Sequence, residues 1–125
     1  MLVILSLVIL FHILILAEII PYNIVWGGKF QNVHQMWIFE AVSVLINAFM
    51  ILVVAIKGQV IKFRVSVKII NVLLWLFVVL FVLNTVGNLL AKTTTETVIF
   101  TPITFVSAIL CFRIVKCDKK LKEEN

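Results

Sequence analysis

Charged residues are scarce in this sequence, and that scarcity excludes most kinds of soluble protein. Only 14% of the 125 residues are charged, whereas 63% are hydrophobic and the mean hydropathy is +1.21. A soluble domain has about half of its residues apolar and about a quarter charged. We therefore predict one all-α membrane domain over residues 1–125, with no room for a separate soluble catalytic domain.

Cysteine and histidine are equally rare, with two of each. Cys111 and Cys117 lie at the predicted cytoplasmic end of the last apolar segment, where thiols stay reduced, so no disulfide is expected. No histidine lies near them to complete a metal site, and no H-E-x-x-H, C-x-x-C or nucleophile–base motif occurs. The basic residues flank apolar segments and form no basic domain for nucleic acid. We therefore expect that this protein is not an enzyme, carries no cofactor and binds no nucleic acid.

Four apolar segments dominate the chain, at residues 1–20, 36–56, 69–91 and 98–115, before a polar tail at 116–125. Each is close to the ~20 residues that cross a bilayer core. The first has no basic stretch before it and no small-residue cleavage site, so we expect a retained span rather than a signal peptide. The pattern predicts an integral membrane four-helix bundle.

The basic residues predict the orientation of this bundle. Of the 11 Lys and Arg residues, nine lie on the side that holds both termini. Those nine are Lys57, Lys62, Arg64, Lys68, Arg113, Lys116, Lys119, Lys120 and Lys122. Because cytoplasmic loops carry an excess of Lys and Arg, both termini should be cytoplasmic. We expect a multi-pass protein of the bacterial cytoplasmic membrane, with the lipid bilayer as its first partner.

Polar residues within the spans are concentrated in the halves that lie on the outer side. The candidate pocket residues are Glu18, Glu40, Ser43, Asn47, Asn84, Asn88, Thr101 and Thr104. At helical spacing, Glu40, Ser43 and Asn47 form one narrow stripe. Polar groups inside a membrane are costly unless they are partnered, so such a cluster indicates a site. We predict an outward-facing polar pocket between the second, third and fourth helices.

The use of this pocket has several interpretations. The first is non-enzymatic binding of a small ligand of unknown identity, of a lipid, or of a helix from a second copy or another membrane protein. The alternative is a small proton- or cation-coupled transporter that uses Glu40 and, in one version, Glu18. A lipid-acting enzyme ranks third. In purely structural terms, Glu40 would favour a helix start, and Asn84 with Asn88 would hold neighbouring helices in register.

His12 lies in the middle of the first span and has two interpretations. A haem would usually need two facing histidines, and His34 lies in an outer loop. His12 is about 120° around the helix from Glu18, so we expect the two to face different directions, with His12 outside the polar zone. A neutral histidine bonded to a neighbouring helix is the main expectation, and a proton relay is the alternative.

The fourth span contains a predicted irregularity. Thr101 and Pro102 are typical of a helix start, with threonine as the N-cap and proline at the first helical position. The preceding Thr97–Phe100 segment would then enter the membrane as non-helical backbone or a kinked first turn, which surrounding protein must shield. The tail from Cys117 onward is expected to fray.

Three short motifs resemble a small bacterial four-span family that is described as a domain of unknown function. The first is Tyr22-Asn23-Ile24-Val25-Trp26-Gly27-Gly28-Lys29, in which Trp26, Gly27 and Gly28 form a candidate loop above the pocket. The others are residues 81–88 and the Thr101-Pro102 pair. The family tends to have Arg-x-x-Gly-Asp and Ser-Pro there, whereas this chain has Asn84 and Asn88 in place of the charges. The resemblance implies a four-helix membrane protein and no known activity.

Overall fold

Over the residues that it describes, the structure, a computed structural model, is all-helical with four α-helices. It describes residues 1–24 and 31–123, with side chains described up to Cys117. The helices are α1 (Leu2–Leu16), α2 (Val33–Lys57), α3 (Val67–Leu89) and α4 (Thr101–Glu123). A short 3-10 turn at Tyr22–Ile24 precedes α2, and a π-helical turn at Glu96–Phe100 runs directly into α4.

Three of the helical segments are long and apolar enough to cross a membrane. They are Val33–Lys57, Val67–Leu89 and Glu96–Cys117. The α1 helix is apolar but has only 15 residues, which is about 22 Å at 1.5 Å per residue and therefore shorter than a bilayer core of about 30 Å. Its C-terminal end lies four residues before the end of the predicted span.

The α2 helix begins three residues before its predicted start because local capping chemistry favours Asn32. The Oδ1 oxygen of Asn32 accepts a 2.9 Å hydrogen bond from the backbone N–H of Gln35, which satisfies one free amide of the first turn. The Gln35 side chain in turn accepts a bond from the backbone N–H of Gln31. The polar residues at the start of α2 therefore extend the helix towards the N-terminus, beyond residue 36, where the apolar pattern begins.

The main core joins all four helices. It contains one buried residue of α1, three from the second half of α2, four along α3 and three of α4. Its buried members are Leu5, Met50, Val53, Val54, Ile70, Leu74, Phe77, Phe81, Ala108, Cys111 and Val115. The start of α1, the end of α2, the start of α3 and the end of α4 thus meet at one end, as alternating helix directions require.

The α1 helix ends in a left-handed residue, Glu18, whose φ angle is 59°. The N–H of Glu18 donates to the Ile15 carbonyl, and the N–H of Ile19 donates to the Leu14 carbonyl. This is the Schellman pattern, in which glycine is usual at the left-handed position because it has no Cβ to clash. Glu18 is exposed at this turn, and its backbone conformation ends α1.

Replacing Glu18 by glycine is expected to stabilise the protein by about 1 kcal/mol, because a left-handed non-glycine residue is strained by 1–2 kcal/mol. Replacing it by valine is expected to destabilise the protein, since a β-branched side chain tolerates positive φ poorly. Unfolding of the purified protein in increasing sodium dodecyl sulfate measures both changes. Equal stabilities of the glycine and valine variants would contradict this assignment.

Candidate functional site

The most buried ionisable contact joins α1 to α2. The Nδ1 nitrogen of His12 lies 2.5 Å from the Oε2 oxygen of Glu40, so a proton on Nδ1 donates to the carboxylate. The Glu40 side chain is 0% exposed and that of His12 is 17% exposed. Glu40 also takes part in a further interaction. A buried carboxylate needs such partners, because transfer of a charge out of water is otherwise costly.

This contact lies between two apolar clusters. Towards the end of α1 is the outer cluster, in which buried Ile15 and Met36 pack with partly buried neighbours. Those neighbours are Phe11, Leu16, Ile20, Tyr22, Ile24 and Phe100. Met36 is one turn before Glu40 on α2, and Ile15 is one turn after His12 on α1. On the other side of the contact, α1 and α2 both continue into the main core. The pair is therefore enclosed by apolar packing along the helix axes.

The expectation that His12 lies outside the polar zone is wrong. The spacing of His12 and Glu18 gives the angle between them around α1. It does not say which face of α1 is turned towards α2. The sequence of α1 is apolar all round, so no stripe marks its inner face. The expected bond between His12 and a neighbouring helix is present. Glu18, by contrast, is exposed beyond the end of α1.

Ser43 and Asn47 continue the Glu40 stripe, but their donors are satisfied within α2. The Ser43 hydroxyl donates to the Phe39 carbonyl at 2.9 Å, and the Asn47 amide donates to the Ser43 carbonyl at 2.8 Å. Such bonds to the preceding turn are the usual way for a helix to satisfy a polar side chain in an apolar setting. Both residues are half-buried.

A second polar contact joins α3 to α4. The Thr85 and Thr104 hydroxyls are 2.9 Å apart, and the Asn88 amide nitrogen lies 3.5 Å from the same Thr104 oxygen. The Thr104 hydroxyl also lies 2.9 Å from the Phe100 carbonyl. Asn88 and Thr104 were candidates from the sequence, whereas Thr85 was missed. Its spacing of three residues before Asn88 would have placed the two on one helix face.

Asn84 does not join this contact. It lies one residue before Thr85, about 100° around α3, and its side chain is exposed. Among the described residues its amide makes no hydrogen bond. The structure therefore separates the two asparagines that the sequence analysis grouped, with Asn88 against α4 and Asn84 on the outer surface of α3.

The predicted irregularity before Thr101 takes the form of the π-helical turn. The Thr101 hydroxyl donates to the Glu96 carbonyl at 3.3 Å, so Thr101 follows an existing helical turn and its predicted role as an N-cap is wrong. The α4 helix continues to Glu123, through most of the tail that was expected to fray. A wide turn leaves carbonyls out of α-helical register, and the threonine side chain satisfies one of them.

Glu96, at the start of the π-helical turn, is a buried carboxylate that was not among the candidates from the sequence. Its side chain is 7% exposed, and the Thr93 hydroxyl donates to its Oε2 oxygen at 2.5 Å. Glu96 also takes part in a further interaction. The Thr93 hydroxyl lies 3.2 Å from the Ile24 carbonyl as well, which ties the turn before α4 to the chain before α2.

The candidate loop residues Trp26, Gly27 and Gly28 lie outside the described residues. Among residues 1–24 and 31–117, no group of three or more His, Cys, Asp or Glu side chains is placed to hold a metal ion. Comparison with protein-family models, curated proteins and solved structures finds no match to this chain.

Proposed function

We propose that the chain is a four-span integral protein of a bacterial cytoplasmic membrane with both termini in the cytoplasm. The excess of Lys and Arg at one end supports this orientation. The main core supports it as well, because the core joins Leu5 near the start of α1 to Val115 in the second half of α4. In this proposal α1 crosses the membrane together with the apolar turn that follows it, and local thinning of the bilayer accommodates its shorter length.

Within that membrane the protein acts as a non-enzymatic binding protein whose partner is a transmembrane helix, and the simplest partner is a second copy. The carrying observation is the exposed Asn84 amide on the apolar surface of α3. Its neighbours Val82, Leu83 and Val86 are exposed apolar side chains suited to lipid. An amide without a partner is costly in hydrocarbon, and bonding across a helix–helix interface relieves that cost.

The other polar candidates support a helix partner over a small ligand. Most of their donors already bond inside the protein: Ser43 and Asn47 to their own helix, and Asn88 across α3 and α4. The Asn84 amide both donates and accepts, so two copies related by a twofold axis can pair through it reciprocally. A heterologous membrane helix is the other partner that this surface would fit.

Replacing Asn84 by leucine is expected to weaken self-association in liposomes about fivefold, because interhelical amide bonds contribute about 1 kcal/mol. Energy transfer between donor- and acceptor-labelled copies measures the association constant. Glutamine at position 84 should retain most of the association. Leu83→Ala is the matched control on the neighbouring lipid-facing position and should change it less than twofold.

Two results would contradict the proposal. One is energy transfer in the parent protein no higher than that of a non-associating membrane protein at the same density. The other is an Asn84→Leu variant that associates as strongly as the parent. A pull-down of a heterologous membrane protein that depends on Asn84 would keep the binding role and change the partner.

A second candidate function is proton- or cation-coupled transport, favoured by the His12–Glu40 contact. Ionisable groups within membranes commonly mark proton and ion pathways. Glu40 contacts His12, whereas Glu18, the second carboxylate named for this candidate, is exposed beyond the end of α1. The apolar clusters on both sides of the pair argue against a continuous polar path, which is why transport ranks second.

Proton and cation flux into liposomes tests the second candidate. If the protein transports, Glu40→Gln should abolish a flux that the parent shows above empty liposomes, because an amide cannot exchange the proton. Glu18→Gln is the matched control and should leave the flux unchanged. A parent flux equal to that of empty liposomes would remove this candidate.

A further inference from the structure

A basic cavity lies at the end of the helices opposite the His12–Glu40 contact. It has a volume of about 480 Å³ and is formed by the end of α2, the connection to α3 and the start of α3. Its lining residues are Ile56, Lys57, Gln59, Ile61, Lys62, Phe63, Arg64, Val65, Val67 and Ile70. Three of these ten side chains are cationic and none is acidic. The cavity is therefore suited to an anion.

The charged side chains that line this cavity, among the described residues, are all positive. The sequence contains no acidic residue between Glu40 and Glu96, so the connection between α2 and α3 supplies no carboxylate of its own to neutralise Lys62 or Arg64. Both of these side chains are exposed. Arginine offers several N–H donors in a planar arrangement that matches a phosphate.

One contact links the walls of the cavity, and the start of α3 adds positive charge to it. The Lys57 ammonium at the end of α2 donates to the Asn71 side chain at 2.7 Å, which links α2 to the first turns of α3 across the connection. The α3 helix begins at Val67, and the Ser66 side chain makes no capping hydrogen bond there. The positive end of the α3 dipole thus adds to the charge of the three basic side chains.

The apolar part of the cavity distinguishes a lipid from a soluble anion. Phe63 is 66% exposed beside Arg64, and Ile61 is 42% exposed beside Lys62. Alternation of exposed apolar and basic side chains allows the apolar groups to enter the acyl region while the cations meet headgroup phosphates. A site for a free phosphate ester would gain nothing from exposed phenylalanine.

We propose that this cavity binds the phosphate of an anionic phospholipid, with Lys62 and Arg64 as the phosphate-binding side chains and Phe63 against the acyl chains. The site is independent of helix pairing at Asn84. Phosphatidylcholine carries the same phosphate but adds a choline cation, which the three basic residues repel. The cavity should therefore prefer phosphatidylglycerol to phosphatidylcholine.

Native mass spectrometry of the full chain in mild detergent tests this proposal, with phosphatidylglycerol and phosphatidylcholine of identical acyl chains. We expect phosphatidylglycerol to bind about tenfold more tightly, since basic residues near anionic lipid each contribute several-fold. The double variant Lys62→Gln/Arg64→Gln should bind the two lipids about equally. Phe63→Ser should weaken the binding of both lipids and leave the preference for phosphatidylglycerol unchanged.

The control is the double variant Lys68→Gln/Arg113→Gln, which removes the same charge at the same end but outside the cavity lining. It should retain the preference for phosphatidylglycerol to within about twofold, since these side chains contribute only general attraction. Equal losses in the two double variants would overturn the proposal in favour of unspecific surface charge. Displacement of the lipid by millimolar glycerol phosphate or inorganic phosphate would overturn it in favour of a soluble phosphate compound.

Discussion

Replacing His12 by leucine is expected to lower the free energy of unfolding by about 3 kcal/mol, since removal of one partner from a buried pair costs 3–5 kcal/mol. The lower end applies because Glu40 keeps its further interaction. Reversible unfolding of the purified protein in sodium dodecyl sulfate, followed by circular dichroism, measures the change.

The second histidine provides a matched control. His34 is exposed at the start of α2, so His34→Leu should change the unfolding free energy by no more than about 0.5 kcal/mol. An equally small effect of His12→Leu would show that the contact with Glu40 contributes little to holding α1 against α2. Thermal unfolding of the same variants should follow the same order.

Replacing Leu74 by alanine is expected to destabilise the protein by about 2 kcal/mol. Leu74 is 0% exposed in the centre of the main core, and the loss grows by about 24 cal/mol for each Å³ of cavity that remains. In a membrane, lipid tails are as apolar as leucine, so the transfer part of the usual penalty largely disappears and the packing part remains.

Leu76 tests this reasoning with the same substitution two positions along the same helix. Its side chain is 58% exposed, so Leu76→Ala removes contacts with lipid rather than packing within the protein. We expect a change of less than about 0.5 kcal/mol. If the two alanine variants lost equal stability, α3 would not present residue 74 inward and residue 76 outward.

Much of the fold followed from the sequence because long apolar segments leave few alternatives. The apolar segments at 36–56 and 69–91 predicted α2 and α3 to within three residues at each end. The exact ends of the helices were harder to predict from the sequence, because they depend on single side chains. Asn32 extends α2 beyond its apolar part, and Glu18 ends α1 in a conformation more typical of glycine.

The candidate site was predictable only in part, because pairings between helices depend on rotation about their axes. Glu40 was a candidate pocket residue from the sequence, and its side chain is fully buried. Its partner was missed because α1 has no polar stripe to orient it. Asn84 and Asn88 looked equivalent at four-residue spacing, yet α4 approaches α3 from a direction that leaves Asn88 half-buried and Asn84 exposed.

Glu96 escaped prediction for a different reason. It follows three consecutive threonines between two apolar segments, a composition typical of a polar turn, so it was not among the candidate site residues. The π-helical turn that begins at Glu96 instead directs its carboxylate inward, towards Thr93. A single wide turn changes the angular position of every residue around it, and regular helical spacing cannot reveal such a turn.

The most direct test of the account is the coupling energy between His12 and Glu40, since this contact is what joins α1 to α2 at the candidate site. A double-mutant cycle uses the unfolding free energies of the parent, His12→Leu, Glu40→Leu and the variant with both changes. We predict a coupling of about 1.5 kcal/mol or more, with the double variant more stable than the sum of the single losses implies. Additive losses, with a coupling near zero, would contradict a direct contact between the two side chains.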